Sequence, residues 1–393
     1  MNTADVVVIG GGVNGLSTAF NLARLGAGKI VLVERGELNS GASGKSGALV
    51  RMHYTNPYES KLAYESLKIF QNWSDEVGGD CGWQELGFVE VVGPGYEEEL
   101  AANVKDQQEI GINTRIVSKE DLRELFPEMY VDDIGAAAYE PESGWADPNA
   151  TAHTLAEAAM SLGVEIKTHC EVVAISLQDG KVVGVHTTDG RIDTETVVAA
   201  PGVGASQLLD PLGLDLGLYP QRSKVALFRR PLGFKGRQPV VIDAINDAWM
   251  RADLGGLTLI GAESGSLRGD PRDFDQTIDN DYVDVARRTL AARFPIYRDA
   301  IMRGGWAGLY AMSPDHRPII DQPEQIPGLY IMVGDSGSSF KTAPAIGRCL
   351  AEWIVHGEPQ TADLSPFSVA RFHGENPWAG DSNYGRRGRT ISR

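Results

Sequence analysis

Residues 5–34 read DVVVIGGGVNGLSTAFNLARLGAGKIVLVE, and the fold follows from this stretch. It opens on a short continuous apolar run, the pattern of a parallel strand buried on both faces. From 16 to 25 the apolar side chains recur at helical spacing, until Gly26 ends them. A second apolar run, 30–34, follows directly. Strand, glycine loop, helix and strand together make the first unit of a dinucleotide-binding sheet. The loop Gly10-Gly11-Gly12-Val13-Asn14-Gly15 fits GxGxxG. Gly10 permits the turn, Gly12 lets backbone approach a pyrophosphate, and Gly15 lets helix and strand pack closely. Phosphates then meet free N–H groups and the dipole at the helix start, which Val13 and Asn14 form. Glu34 closes the second strand, where a carboxylate accepts both ribose hydroxyls and repels a 2′-phosphate, disfavouring NADP. A merely glycine-rich turn would leave Glu34 unexplained.

At 393 residues the chain exceeds a single core and suits two interleaved domains. Its 42% hydrophobic and 23% charged residues are those of a globular protein, and 46 glycines fit many tight turns. A formal net charge of -17 argues against nucleic acid or an anionic membrane as partner, because phosphate binding needs clustered Lys and Arg. Any anion site must therefore be a local cationic pocket. Cys81, Cys170 and Cys349 have no CxxC spacing and read as reduced thiols. No leader precedes the strand at 6–9 and no apolar stretch reaches the length of a membrane span, so the expectation is a soluble cytoplasmic protein. No metal is expected.

Further along, a Gly/Ser loop covers 39–47 and a long helix is predicted over 58–77. Mixed character follows at 84–145, with a strand at 88–92 and an acidic helix at 97–110. A helix at 151–162 leads into short strands at 164–167, 171–177, 182–187 and 196–200, a small meander returning to the parallel sheet. Alternating strands dominate 219–262, turning at Gly255-Gly256, and a helix covers 281–294. Strand 329–333 and helix 343–355 return to nucleotide-domain character. The predicted fold is α/β (α+β overall): a Rossmann-like domain of residues 1–83, 146–215 and 305–372, with an interleaved antiparallel-sheet substrate domain of 84–145 and 216–304. Residues 373–393, polar and glycine-rich with four arginines, read as a flexible tail.

The choice between FAD and NAD rests on two later segments. TVVAAPG at 196–202 is an apolar strand ending in small residues, where a second stretch of backbone approaches the cofactor. GLYIMVGDSGSSFKTAPAIG at 328–347 is another strand, small-residue loop and helix, with Thr342 as N-cap candidate and Pro344 in the first turn. The start of that helix suits the negative charge of a reduced flavin. An NAD dehydrogenase has no use for this third element, so FAD is expected.

Taken with SGASGKSGALVRMHY at 40–54 and WAGLYAMSPDHRPIID at 306–321, these motifs resemble the D-amino acid oxidase superfamily of flavoenzymes. Within it the chain is most similar to the sarcosine oxidase branch, especially β subunits of the heterotetrameric enzyme and dimethylglycine-type relatives, and next to glycine oxidases. The resemblance runs from about residue 5 to 357. It implies that Gly10, Gly12, Val13, Asn14, Gly15, Glu34, Arg35, Ser43, Gly44, Ser46 and Gly47 hold the cofactor from the N-terminal side. Val172, Val173, Ala200, Gly202, Gly308, Gly334, Gly337, Ser338, Phe340 and Lys341 do so from the rest of the chain. It also puts Arg51 and Lys341 on either side of a substrate carboxylate, a use that suits a guanidinium fork and an ammonium. Both cations would disfavour protonation of the substrate amine, which must be neutral to lose hydride. Tyr54 and Trp249 match aromatics of the pocket, or serve packing; His53 lies near the flavin, or is a satisfied structural residue.

Three departures shape the expectation. Tyr310 stands where glycine oxidases carry a carboxylate-binding arginine. The attachment cysteine and histidine of covalent relatives correspond to 310–314 and 147–150, which hold neither, so FAD is expected without a covalent bond. The oxygen-activating lysine of monomeric sarcosine oxidase has no equivalent at 257–260. The expected reaction is hydride transfer to flavin N5 from the carbon beside the nitrogen of an N-substituted glycine (sarcosine-, dimethylglycine- or N-carboxymethyl-amine-like), followed by imine hydrolysis. The electron acceptor is O2 or another, and the chain a possible homo-oligomer. The alternatives are a D-amino acid or proline-type dehydrogenase passing electrons to a partner, or a flavin-carrying subunit of a larger complex.

Overall fold

The computed structural model of the chain describes residues 3–262, 273–374, 376–379, 381 and 384–385. Its first sheet has six strands in the order Ile319–Asp321, Leu329–Val333, Val197–Ala199, Val6–Ile9, Ile30–Val33 and Glu165–Lys167. All neighbours are parallel except the first pair, which is antiparallel. The opening strand is buried on both faces, which is why its apolar run does not alternate. Val6 and Val8 pack with the helix side of the sheet, and Val7 and Ile9 with the strands from 172 to 192 on the other. Helices Val13–Arg24 and Ala343–His356 meet on the first face so closely that a Cβ on Gly347 would stand 2.2 Å from Ser17 Oγ.

The second sheet has eight strands, ordered Met302–Met312, Tyr219–Arg229, Leu257–Ala262, Ala248–Asp253, Val240–Asp243, Phe88–Val92, Ala136–Glu140 and Arg115–Val117. It is antiparallel except where Val240–Asp243 runs parallel to Phe88–Val92. Helix Asn280–Arg293 backs it through Val283, Ala286 and Leu290. A three-stranded sheet of Leu49–Val50, Gly144–Trp145 and Gln84–Glu85 carries the segment that follows the Gly/Ser loop. Among the described residues no helix is long and apolar enough to cross a membrane, and the three cysteines are free and buried.

Several expectations need adjustment. The helix expected at 58–77 is two, Pro57–Gln71 and Trp73–Glu76. They part at Asn72, whose side-chain amide donates to the Lys68 carbonyl at 2.8 Å, and such local bonding competes with the helical ladder. Strand Met302–Met312 was not foreseen, because Gly304, Gly305 and Gly308 interrupt its alternation. Gly305 is required there: a Cβ would stand 2.6 Å from the Val225 carbonyl oxygen of the neighbouring strand. Helix Lys119–Leu125 also went unread, though Ser118 and Asp121 form a full capping box at its start. Beyond Phe372 the described residues are seated on the body, with Trp378 and Tyr384 buried, in contrast to the mobile tail expected; part of that segment lies outside the described residues.

Candidate functional site

The glycine loop is built for close approach. Gly10 has φ 108, and a Cβ there would stand 2.3 Å from the Ala200 carbonyl oxygen, while one on Gly15 would stand 2.0 Å from that of Gly10. The helix that follows has Gly12 as N-cap and no acidic residue in its first turn, so its positive end is left for an anion. The Val13 N–H donates to Ser43 Oγ at 3.2 Å, which ties the Gly/Ser loop to the helix start. Glu34 accepts the N–H of Gly11 through Oε2 at 2.7 Å and that of Gly36 through Oε1 at 2.8 Å, fixing its carboxylate at the strand end.

Two clefts meet at Gly10, Glu34, Arg35 and Pro201. One continues past Gly12, Asn14, Ser43, Ala200 and Gly202 to Gly334 and Asp335. The other ends at Val172 and Val173, and Val173 is 55% exposed there, an apolar surface for a flat ring to cover. Asn14 donates to Ser339 Oγ at 3.0 Å, and its own buried Oδ1 has no hydrogen-bond partner. A glycine cradle, a carboxylate at the ribose position and an apolar end, with the unmet Asn14 acceptor in the cleft on the other side of the cradle, fit an elongated dinucleotide. A Cβ on Gly44 would stand 2.3 Å from the Asn39 carbonyl oxygen, whereas one on Gly308 would make only ordinary contact with Lys45.

A smaller pocket is lined by Ser46, Gly47, Ala48, Leu49, Trp249, Tyr310, Gly337, Phe340 and Lys341. The loop from Gly334 to Lys341 thus borders both the long cleft and this cavity. The ring of Trp249 presses on Gly47 and that of Tyr310 on Gly337, so both aromatics pack and form wall at once. Lys341 is buried, with Nζ donating to the Ser338 carbonyl at 3.1 Å. The Tyr54 hydroxyl donates to the same oxygen at 3.1 Å.

Arg51 is buried and does not itself line the cavity; its guanidinium lies 4.6 Å from the Tyr54 ring centroid, and Lys341 Nζ lies 5.1 Å from that centroid. Two cations thus share one buried aromatic. Burial drives the Lys341 ammonium well below the ordinary lysine value, the Arg51 charge pushes the same way, and Asp335 opposes them. Burial likewise raises the Asp335 carboxyl, against hydrogen bonds from Ser339 and Gly337.

Behind Arg51 lies Glu140, pushed up to about 7 by burial against hydrogen bonds from Met52 and Ser143 and the Arg51 charge. Neither Asp335 nor Glu140 was foreseen; the only signal was an acid within the small-residue run GDSG for the first. His53 stands away from the cavity, between Gln107 and Tyr384, which favours the structural alternative for it.

The profile of one family, described as FAD dependent oxidoreductase, matches residues 5–353. The mitochondrial sarcosine dehydrogenase of Mus musculus is 27% identical over 388 residues, which are 95% of this chain and 42% of that protein. The formaldehyde-forming 4-methylaminobutanoate oxidase of Paenarthrobacter nicotinovorans is 27% identical over 94% of this chain and 45% of its own length. The chain therefore spans less than half the length of these curated relatives. Among solved structures, the glycine oxidase from Geobacillus kaustophilus superposes with a TM-score of 0.82 at 26% identity, covering 94% of this chain and 99% of that one.

Proposed function

The chain belongs to the FAD dependent oxidoreductase family, and from that premise we propose that it oxidises the C–N bond of a small amino acid bearing a substituted nitrogen, an N-substituted glycine. The observation that carries this reading is the pairing of Arg51 and Lys341 on the Tyr54 ring, beside a small cavity that shares a loop with the dinucleotide cleft. Two buried like charges repel, and a carboxylate between them relieves that repulsion. The names of the relatives point the same way, toward N-methylated amino acids and glycine.

The glycine loop, Glu34, Val172, Val173 and the Gly334–Lys341 loop would hold FAD without a covalent bond, and the bound flavin would supply the two-electron acceptor for a hydride from the carbon beside the nitrogen. The protein's own contribution is to bind, orient and exclude water. Arg51 and Lys341 hold the carboxylate, and their charge keeps the neighbouring amine unprotonated, which leaves its lone pair available. Trp249, Tyr310 and Phe340 close the walls around a substrate of few heavy atoms. No acid–base dyad is required.

The test is anaerobic bleaching of the bound flavin against sarcosine, N,N-dimethylglycine, iminodiacetate, proline and D-alanine. Preferential bleaching by the N-substituted glycines supports the reading; bleaching only by D-alanine or proline overturns it. Reduced protein that stays reduced in air but passes electrons to a dye is a dehydrogenase, an outcome favoured by the absence of lysine at residues 257–260.

A further inference from the structure

The segment that joins the small sheet to helix Pro57–Gln71 carries Arg51, His53, Tyr54 and Asn56, and the C-terminal residues grip it from outside. Tyr384 is buried among Val92, Leu100, Val104 and Ala138, and its chain passes so near Tyr96 that a Cβ on Gly385 would stand 2.2 Å from that hydroxyl. Its own hydroxyl lies 2.9 Å from His53 Nε2 and accepts the Asn103 amide at 2.5 Å. On the other side of the imidazole, His53 Nδ1 lies 3.0 Å from Gln107 Oε1, and Gln107 Nε2 donates to the Tyr54 carbonyl at 2.9 Å. The chain of bonds has one consistent direction. Because the Gln107 amide nitrogen is committed to Tyr54, its oxygen accepts from His53 Nδ1–H. The neutral imidazole then accepts the Tyr384 proton at Nε2.

A second grip lies at the far end of the same segment. Arg317 pairs with both Glu59, in the first turn of the helix, and Asp381. Trp378 stacks edge-on against Tyr58, with ring centroids 6.1 Å apart, and its indole N–H donates to Asp315 at 3.1 Å. The residues between Arg51 and Glu59 are thus held at both ends by groups far away in sequence.

We propose that Tyr384 is a positioning residue for the carboxylate site: it fixes His53 and, through Gln107, the backbone of Tyr54, and so sets where Arg51 and the Tyr54 ring stand relative to Lys341. This rests on the reading of Arg51 and Lys341 as the carboxylate pair. Tyr384 touches neither substrate nor cofactor; it acts through the segment it holds.

The experiment titrates the holoprotein with methoxyacetate, which matches N-methylglycine in shape but has no oxidisable amine, and with its neutral amide, by calorimetry. Tyr384→Phe keeps the ring and removes two hydrogen bonds, the one to His53 and the one from Asn103, so the methoxyacetate Kd rises about five- to tenfold. KM for the best amino acid rises with it while kcat changes less than twofold, and FAD content and Tm stay at their wild-type values. Adding His53→Gln to Tyr384→Phe costs no more affinity than His53→Gln alone, because the two act in one line. Wild-type discrimination for methoxyacetate over its amide, with Tyr384→Phe binding within twofold of wild type, overturns the positioning role and leaves the carboxylate reading intact. A parallel loss of FAD and Tm in Tyr384→Phe makes the residue merely structural and also overturns it. Failure of wild type to distinguish methoxyacetate from the amide removes the carboxylate reading, and the proposal with it.

Discussion

Glu34 and Gly11 are joined by a 2.7 Å hydrogen bond from backbone N–H to carboxylate, and the same carboxylate takes the Gly36 N–H at 2.8 Å. The acid that would accept a ribose is therefore also a part of the glycine loop, and its loss acts on both. Glu34→Arg puts a bulky cation at that place and sharply lowers the FAD content of purified protein. Wild type should be yellow and should release FAD into the supernatant on acid precipitation, since the expected attachment positions hold no cysteine or histidine. Flavin that stays in the pellet, or that chromatographs as FMN, refutes this.

Arg51→Ala and Lys341→Ala each remove one partner of a desolvated anion. Such a loss costs on the order of 2–5 kcal/mol, or roughly 30- to several-thousand-fold in kcat/KM, at about 1.4 kcal/mol per tenfold. Arg51→Lys also fails, because an ammonium cannot reproduce a two-pronged contact or lie flat on Tyr54. Steady-state kinetics at unchanged flavin content provide the check. Both alanine variants working within a few-fold of wild type would point to a neutral amine as substrate.

The lowered Lys341 value makes carboxylate binding pH-dependent. The ammonium is the binding form, so affinity for methoxyacetate is present at low pH and is lost as pH rises through the depressed value, well before the ordinary lysine range near 10.4. Above that value, binding takes up a proton, because the incoming anion restores the ammonium. Calorimetry in two buffers of different ionisation heat measures this uptake. In Lys341→Gln both the uptake and the alkaline loss of affinity disappear; their persistence would assign them to another group.

Glu140 gives a stability prediction of opposite origin. Its carboxyl is pushed up to about 7, above the unfolded value, so the folded state favours the protonated form. The contribution is complete below about pH 4.3, the ordinary glutamic acid value, and is lost as pH rises through 7. Glu140→Gln keeps an oxygen for the Met52 N–H at 3.0 Å and for Ser143, but has nothing to ionise. The Tm difference between this variant and wild type should shift in the variant's favour from pH 5 to pH 8. A difference constant across that range rules out titration of Glu140.

The first sheet was legible because its strands Val6–Ile9, Ile30–Val33 and Leu329–Val333 are runs of apolar residues ended by glycine or an acid, a pattern with few competing explanations. The strand at 302–312 was not, since what selects Gly305 is a carbonyl on the neighbouring strand and not its own sequence. Arg51 and Lys341 were reached through resemblance; their common contact with Tyr54 depends on segments almost three hundred positions apart and exists only in the fold. Glu140 reads as an ordinary strand carboxylate in sequence, and only its burial makes it unusual. Tyr384 lay in a stretch whose composition suggests disorder, because composition counts glycines and arginines and misses one aromatic with a prepared seat.

The order of the six-stranded sheet has a consequence for biosynthesis. The strand Val197–Ala199 lies between Val6–Ile9 and Leu329–Val333. A nascent polypeptide can therefore form its first βαβ unit early, but must extend to Val197 before the edge of Val6–Ile9 is paired, and to Leu329 before the edge of Val197–Ala199 is. During that interval an unpaired parallel edge, apolar on both faces, stands exposed to other chains. Slow translation, high temperature and crowded expression lengthen or aggravate that exposure. Chaperone supply and growth temperature should then affect how much of this protein a cell can accumulate.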